Sequence, residues 1–232
     1  MNIILVGGGS TNATIGRFGN QFLNKARSEG NRVINISHKN HNTGHVDDRV
    51  IDYHNADKIK EVCEKISIDM PIIDIVLFNQ TGDAFPHEET ELFAEPDFQK
   101  YYRTMNIAVA APHLIISSLY KNLVDGSKVL NMSSTMAFSY ERDNYISAVG
   151  YPGAKGYATH LIMSMARCRT KKITFSSLCP YFLYHKPEWY ENSFHVTYDH
   201  IFKHDDSCNG KILCQLDGNA RPYVEGQVRY GR

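Results

Sequence analysis

The chain has 232 residues, 42% of them hydrophobic, which is enough to fill the core of one large α/β domain or two small ones, one being the simpler reading. Twenty-five Lys and Arg balance 25 Asp and Glu, so whole-protein charge gives no reason to expect a nucleic acid or an anionic membrane as partner and suits a small neutral or phosphate-bearing ligand. The five cysteines (Cys63, Cys168, Cys179, Cys208, Cys214) are odd in number, scattered and without a C-x-x-C pair, which argues against a disulfide framework or a thiolate zinc site and for reduced thiols in a cytoplasmic protein.

The chain opens with the apolar run Ile3 to Val6 and no basic leader, against a secretory signal. Strand Asn2 to Val6 leads into Gly7, Gly8, Gly9, Ser10 and Thr11, and after Ile15 and Gly16 a helical segment, Ile15 to Ser28, continues. Residues without bulk at the end of a first strand let backbone N–H groups and a helix N-terminus approach a pyrophosphate. The spacing is not the plain G-x-G-x-x-G form, and glycines in a turn also have a simpler reading as loop punctuation. Strand Arg32 to Ile36 ends in Ser37, His38 and Lys39, with no acidic residue placed to bind a ribose 2′-hydroxyl. His38 and Lys39 would instead attract a 2′-phosphate, although such a sequence is also ordinary surface composition. His41 and His45 follow in a polar stretch without carboxylate or cysteine at ligand spacing, so no metal is expected there or elsewhere.

Further along, strands are expected at Arg49 to Asp52, Ile72 to Phe78, Lys128 to Met132, Lys172 to Leu178 and Lys211 to Gln215, and helices at Ala56 to Ile66, Phe98 to Tyr120 and Tyr151 to Cys168. The stretch Ile107 to Leu119 is broken by Pro112 and His113 and falls short of the ~20 residues that cross a bilayer, so no membrane partner is expected. Short strands rich in Ile and Val alternating with helices predict a doubly wound parallel sheet in a three-layer α/β/α arrangement, with residues 1–232 as a single domain. Tyr151 and Lys155 lie four residues apart on one helix face, after Ser133 and Ser134 at a strand end and Asn106 in the preceding helix.

In this order the sequence resembles the short-chain dehydrogenase/reductase family over nearly its full length. Gly7 to Gly16 is similar to the family's cofactor turn, and Asp52, followed by Tyr53, to the acidic residue near the adenine. Asn79, Gln80, Thr81 and Gly82 are similar to the Asn-Asn-Ala-Gly strand end, and Cys179-Pro180 to the Pro-Gly after the sixth strand, with Tyr181 in place of glycine. The closing strand and its Asp217-Gly218 turn complete the likeness. The resemblance implies a Rossmann-type domain binding a nicotinamide dinucleotide, with Asn106, Ser134, Tyr151 and Lys155 as a catalytic tetrad, and Ser37, His38 and Lys39 make NADP(H) the expected cofactor in preference to NAD(H). It also implies that Lys155 holds the nicotinamide ribose, that Asn106 binds a water linking Lys155 to solvent, and that the protein forms a homodimer or homotetramer through the helices carrying Asn106 and Tyr151.

Reducing a carbonyl takes a hydride on carbon and a proton on oxygen, and a nicotinamide provides only the first. A phenol with a reference pKa of about 10 becomes a usable acid near neutral pH when an ammonium stands beside it. A serine hydroxyl in place would meet the charge developing on the oxygen. Alternatives stay open: a dinucleotide-binding sensor or scaffold without turnover, or an epimerase or dehydratase using the cofactor transiently. Departures from the family pattern include a longer cofactor turn with Thr14 in place of a glycine, an inserted loop around Ser139 to Asn144, and a short stretch after Tyr181 in which substrate-covering helices are expected to be trimmed. Tyr181, Phe182, Tyr184, Trp189 and Tyr190 either line a pocket or belong to the core or a subunit interface.

Overall fold

Ile3, Ile4, Leu5 and Val6 of β1 (Asn2–Val6) are all fully buried, which suits a strand covered by helices on both faces. In the computed structural model, which describes residues 1–8, 17–38, 47–80, 98–134, 137, 150–167, 170–180, 187–215 and 224–225, this strand lies near the centre of an eight-stranded sheet. It pairs in parallel with β2 (Arg32–Ser37) and β4 (Ile73–Phe78), and β3 (Asp48–Val50) flanks β2. Beyond β4 come β5 (Leu123–Met132), β6 (Thr174–Cys179) and β7 (Lys211–Cys214), all parallel, then the short antiparallel β8 (Val224–Glu225), giving the order β3-β2-β1-β4-β5-β6-β7-β8. The expected doubly wound sheet is therefore present, with one edge strand added.

Alternate side chains of each strand serve two apolar layers. Ile4, Val6, Ile34, Ile36, Val76 and Phe78 face α2 (Ala56–Asp69), α4 (Ala111–Leu119) and α5 (Gly150–Met165), through Ile59, Cys63, Ile66, Ile115, Leu119 and Ile162. Ile3, Leu5, Val33, Ile75, Leu77 and Leu130 face α1 (Arg17–Ser28) and α6 (Pro187–Lys203). On α1 the buried positions Phe18, Phe22, Leu23 and Ala26 form one stripe at helical spacing, and Lys25 and Arg27 lie in the last turn, where a cation favours the dipole. Asn55 caps α2, its side-chain oxygen accepting from the Lys58 amide at 3.0 Å.

Two elements differ from the sequence expectation. The single helix expected over Phe98 to Tyr120 is α3 (Phe98–Met105), a π-helical turn at Asn106–Ala110, then α4. Pro112 lacks the N–H that would bond back to Ala108, and its ring crowds that carbonyl, so the ladder widens and the Ala111 amide reaches the Asn106 carbonyl instead. The second difference is α6, a 17-residue helix in a stretch where the sequence reading placed none. Its buried Tyr190, Phe194, Tyr198 and Ile201 press it onto the sheet beside α1, so it is the β6-to-β7 crossover rather than a cover over substrate. Tyr190 is thus a core residue, its hydroxyl donating to Gln21 Oε1 at 2.6 Å and its ring 4.1 Å from the Arg17 guanidinium carbon. Phe182 and Tyr184 lie outside the described residues, and Trp189 is half-buried. Among the described residues no helix is long and apolar enough to cross a membrane.

Candidate active site at the carboxyl edge of the sheet

The carboxyl ends of β1 and β4 meet α1 where three glycines permit contact. Gly7 has φ +90°, and a Cβ there would lie 2.6 Å from the Gln80 amide nitrogen. A Cβ on Gly8 would fall 2.5 Å from Asn35 Oδ1, and one on Gly19 2.9 Å from both Asn79 Nδ2 and the Gly7 carbonyl. Asn79 fastens the junction: its amide donates to the Val6 carbonyl at 2.8 Å and its side chain to the Gly7 carbonyl at 3.0 Å. A helix start seated directly on bare strand ends fits the pyrophosphate of a dinucleotide. The polar inventory agrees, since Asn35 Oδ1 and Gln80 Oε1 are buried without a partner among the described residues. Gly7→Ala combines a left-handed backbone with a steric clash and is expected to lower stability by about 2–4 kcal/mol, read as a lower urea midpoint at unchanged slope.

Lys155 rises from the first turns of α5 into this junction and is only 4% exposed. Its ammonium donates to the Met132 carbonyl at 2.6 Å and the Gln80 carbonyl at 3.1 Å, which fixes it between the ends of β5 and β4. Burial brings its pKa down to about 8, and the neighbouring Cys179 opposes that shift. The Tyr151 ring stands over it, its centroid 5.8 Å from Nζ, as expected for residues one helical turn apart.

The two serines after β5 have separate positions. Ser133 is buried and its hydroxyl shares a 2.7 Å hydrogen bond with Thr159, whose hydroxyl donates to the Lys155 carbonyl at 2.8 Å, so it ties β5 to α5. Ser134, the expected tetrad member, is half-buried, and its carbonyl accepts from the Ala137 amide at 3.0 Å. Asn106 is placed by the π-helical turn, and its Nδ2 meets His54 Nδ1 at 3.2 Å, a neighbour that the sequence did not indicate.

On the far side of β1, Ser37 is buried and His38 exposed, the His38 ring 6.2 Å from that of Tyr53. His38 and Tyr53 border a cleft of about 620 Å³ that also takes in Asp52, Lys58, Lys65 and Ile107. Tyr53 is mostly wall: it is buried, its hydroxyl donates to the Ile36 carbonyl at 3.3 Å, and burial raises its pKa. Asp52 accepts from the His54 amide at 2.9 Å, so its carboxylate also shapes the turn. Pro180 closes β6, half-buried. Gly9, Ser10, Thr11, Ile15, Gly16, Lys39, Thr81, Gly82 and Tyr181 lie outside the described residues, as do His41 and His45. The Met132 carbonyl was missed, since a backbone acceptor has no side-chain signature; Thr159, one turn beyond Lys155, would have been suggested by helix spacing.

The profile of the family described as short chain dehydrogenase matches residues 10–189. No curated protein sequence matches the chain. Among solved structures, the aldohexose dehydrogenase of Thermoplasma acidophilum in ligand-free form is similar with a TM-score of 0.71 at 15% identity, over 97% of this chain and 96% of that one. The putative carbonyl reductase Sniffer of Caenorhabditis elegans gives 0.72 at 12% identity, covering 96% and 98%. A short-chain dehydrogenase/reductase from Serratia marcescens gives 0.69 at 16%, covering 95% and 98%. A family match over that much of the sequence, on the fold these dehydrogenases share, means that the chain belongs to the short-chain dehydrogenase family, whose members are nicotinamide-dependent oxidoreductases.

Proposed function

We propose that this chain is an NADP(H)-preferring carbonyl reductase or alcohol dehydrogenase, working as one cytoplasmic domain per subunit on a small or medium-sized substrate. The observation that carries the reading is the buried Lys155 ammonium, pinned on the carbonyls of Met132 and Gln80 beneath the Tyr151 ring. A surface lysine would not be desolvated in this way, and such strongly perturbed groups concentrate at functional sites.

When bound, the dinucleotide exchanges a hydride with the substrate carbon. Tyr151 Oη gives the carbonyl oxygen its proton on reduction and takes it back on oxidation. Lys155 stabilises the phenolate left behind, and its remaining N–H is suited to a ribose hydroxyl. Ser134 donates to the substrate oxygen as charge builds there. Asn106, whose side chain meets His54, would bind a water that connects Lys155 to solvent. Gly7, Gly8, Gly9, Ser10, Thr11, Ile15 and Gly16 would cradle the pyrophosphate. Ser37, His38 and Lys39 would take the 2′-phosphate, Asp52 and Tyr53 would border the adenine, and Asn79 to Gly82 with Pro180 and Tyr181 would wall the nicotinamide half. Phe98 and Tyr102 on α3 are 62% and 63% exposed and Tyr157 on α5 is 62% exposed, an aromatic surface that suits a homodimer or homotetramer. A sensor without turnover is not favoured, because it would have no use for a proton-transfer pair.

Parallel fluorescence titrations with NADPH and NADH, followed by a panel of carbonyl substrates, test the reading. NADPH is expected to bind about tenfold or more tightly than NADH, the contribution of a charge-assisted contact to a phosphate, with sustained NADPH consumption. Binding of neither dinucleotide removes the proposal, and binding without any consumption moves it to the sensor.

A further inference from the structure

At the opposite, amino edge of the sheet, α6 ends on His200 and Lys203, and the chain continues through His204 and a short 3-10 turn at Asp206–Cys208 into β7. His200, His204 and Cys208 follow one another at intervals of four. Each offers one ligand atom, and these atoms all lie within 4.8 Å of one another. His200 Nε2 and His204 Nδ1 are 3.2 Å apart, with the two rings nearly perpendicular at 81°. Two nitrogens on a tetrahedral zinc ion, each about 2.0 Å from the metal, stand about 3.3 Å apart. The imidazole pair is therefore already at the spacing that zinc requires, and the Cys208 sulfur lies within 4.8 Å of both nitrogens.

We infer that His200, His204 and Cys208 form a binding site for a zinc-class divalent cation, with three protein ligands and a fourth position open to water. The surroundings support a built site. His204 is 3% exposed, and its second nitrogen, Nε2, lies 2.6 Å from the hydroxyl of Ser176, a fully buried residue of β6. In the tautomer in which the serine accepts from Nε2–H, His204 Nδ1 carries the lone pair and accepts from His200 Nε2–H; a metal taking both nitrogens would displace that one proton, while Ser176 keeps His204 oriented as an outer partner does. The carboxyl end of α6 adds the negative pole of its dipole. The other charged groups facing the cluster offset each other in part: Lys128, whose ammonium donates to the Phe202 carbonyl at 2.8 Å, opposes a cation, whereas Asp205 and a Cys208 thiolate favour one. Imidazole and thiolate together select a borderline-soft ion such as zinc over magnesium or calcium.

The site is remote from the proton-transfer pair, because Lys128 and Thr174 begin the paired stretch of β5 and β6 whereas Met132 and Cys179 end those strands. The ion would tie the end of α6 to the turn before β7, and the contact of His204 with Ser176 joins that clamp to β6. Neither the zinc nor the clamp depends on the dinucleotide reading.

Cobalt(II) titration of the full chain, purified with chelator, tests the site. One cobalt per chain is expected, with a thiolate charge-transfer band and tetrahedral d–d bands that zinc(II) displaces, and zinc(II) should raise the melting temperature. Cys208→Ser, a substitution at a half-buried position, should abolish the charge-transfer band. His200→Ala should weaken binding by about tenfold or more, and the surface control His160→Ala should not. A charge-transfer band that survives Cys208→Ser places the metal on another thiol and overturns the assignment, as does unchanged affinity in His200→Ala or a wild-type spectrum without tetrahedral bands. Circular dichroism on each variant keeps a folding defect from counting as loss of binding.

Discussion

Tyr151→Phe is expected to reduce carbonyl turnover by about 10²–10⁴-fold while leaving NADPH affinity within a factor of about two. The substitution keeps the ring over Lys155 and deletes only the proton that must reach the substrate oxygen. The half-buried position and the retained ring volume leave little reason for the fold to change. Steady-state kinetics with the titration described above separates the outcomes: equal loss of turnover and affinity would point to a disturbed helix and withdraw the role.

Lys155→Met is the second large effect, and it should differ in kind. Turnover falls by a similar ~10²–10⁴-fold, and cofactor affinity falls with it, because the same nitrogen would serve both proton transfer and the ribose. The pH dependence is the sharper test. With the Lys155 pKa near 8, carbonyl reduction in the wild type should decline as pH rises through about 8, where the ammonium that supports the phenolate is lost. Lys155→Met should be slow and flat through the same range. Stability has its own sign. The folded pKa lies below the ordinary 10.5, so the protonated amine is disfavoured by folding; that penalty is complete below about 8 and is relieved as pH climbs towards 10.5. Wild-type stability should therefore gain a contribution over this interval that the variant lacks. A decline in rate at the same pH in both proteins would assign the titration to another group.

Much of the fold was legible because the informative pattern is local. Ile3 to Val6, Ile73 to Phe78 and the later part of β5 are apolar on both faces, as central parallel strands must be, and their positions were anticipated to within a residue or two. The early part of β5 was not, because Asp125 and Gly126 interrupt the apolar run and the pairing with β4 shifts there. α6 escaped notice because Tyr190, Phe194, Tyr198 and Phe202 are residues with strand preference, and only their docking against α1 and the sheet makes the stretch a helix. The grouping of His200, His204 and Cys208 went unnoticed as well, because it forms only where the end of α6, the residue after it and the 3-10 turn fold against one another.

Taken alone, the sequence determined the alternation of strands and helices, the glycine turn after the first strand and the order Asn106, Ser134, Tyr151, Lys155, since each depends on residues close together in the chain. Tertiary structure alone decided that Ser133 is tied to Thr159, where the Lys155 ammonium rests and which edge gathers the histidines. Lys155 reaches carbonyls 23 and 75 residues away, and those acceptors are backbone atoms that every residue carries, so no choice of side chain marks them in advance.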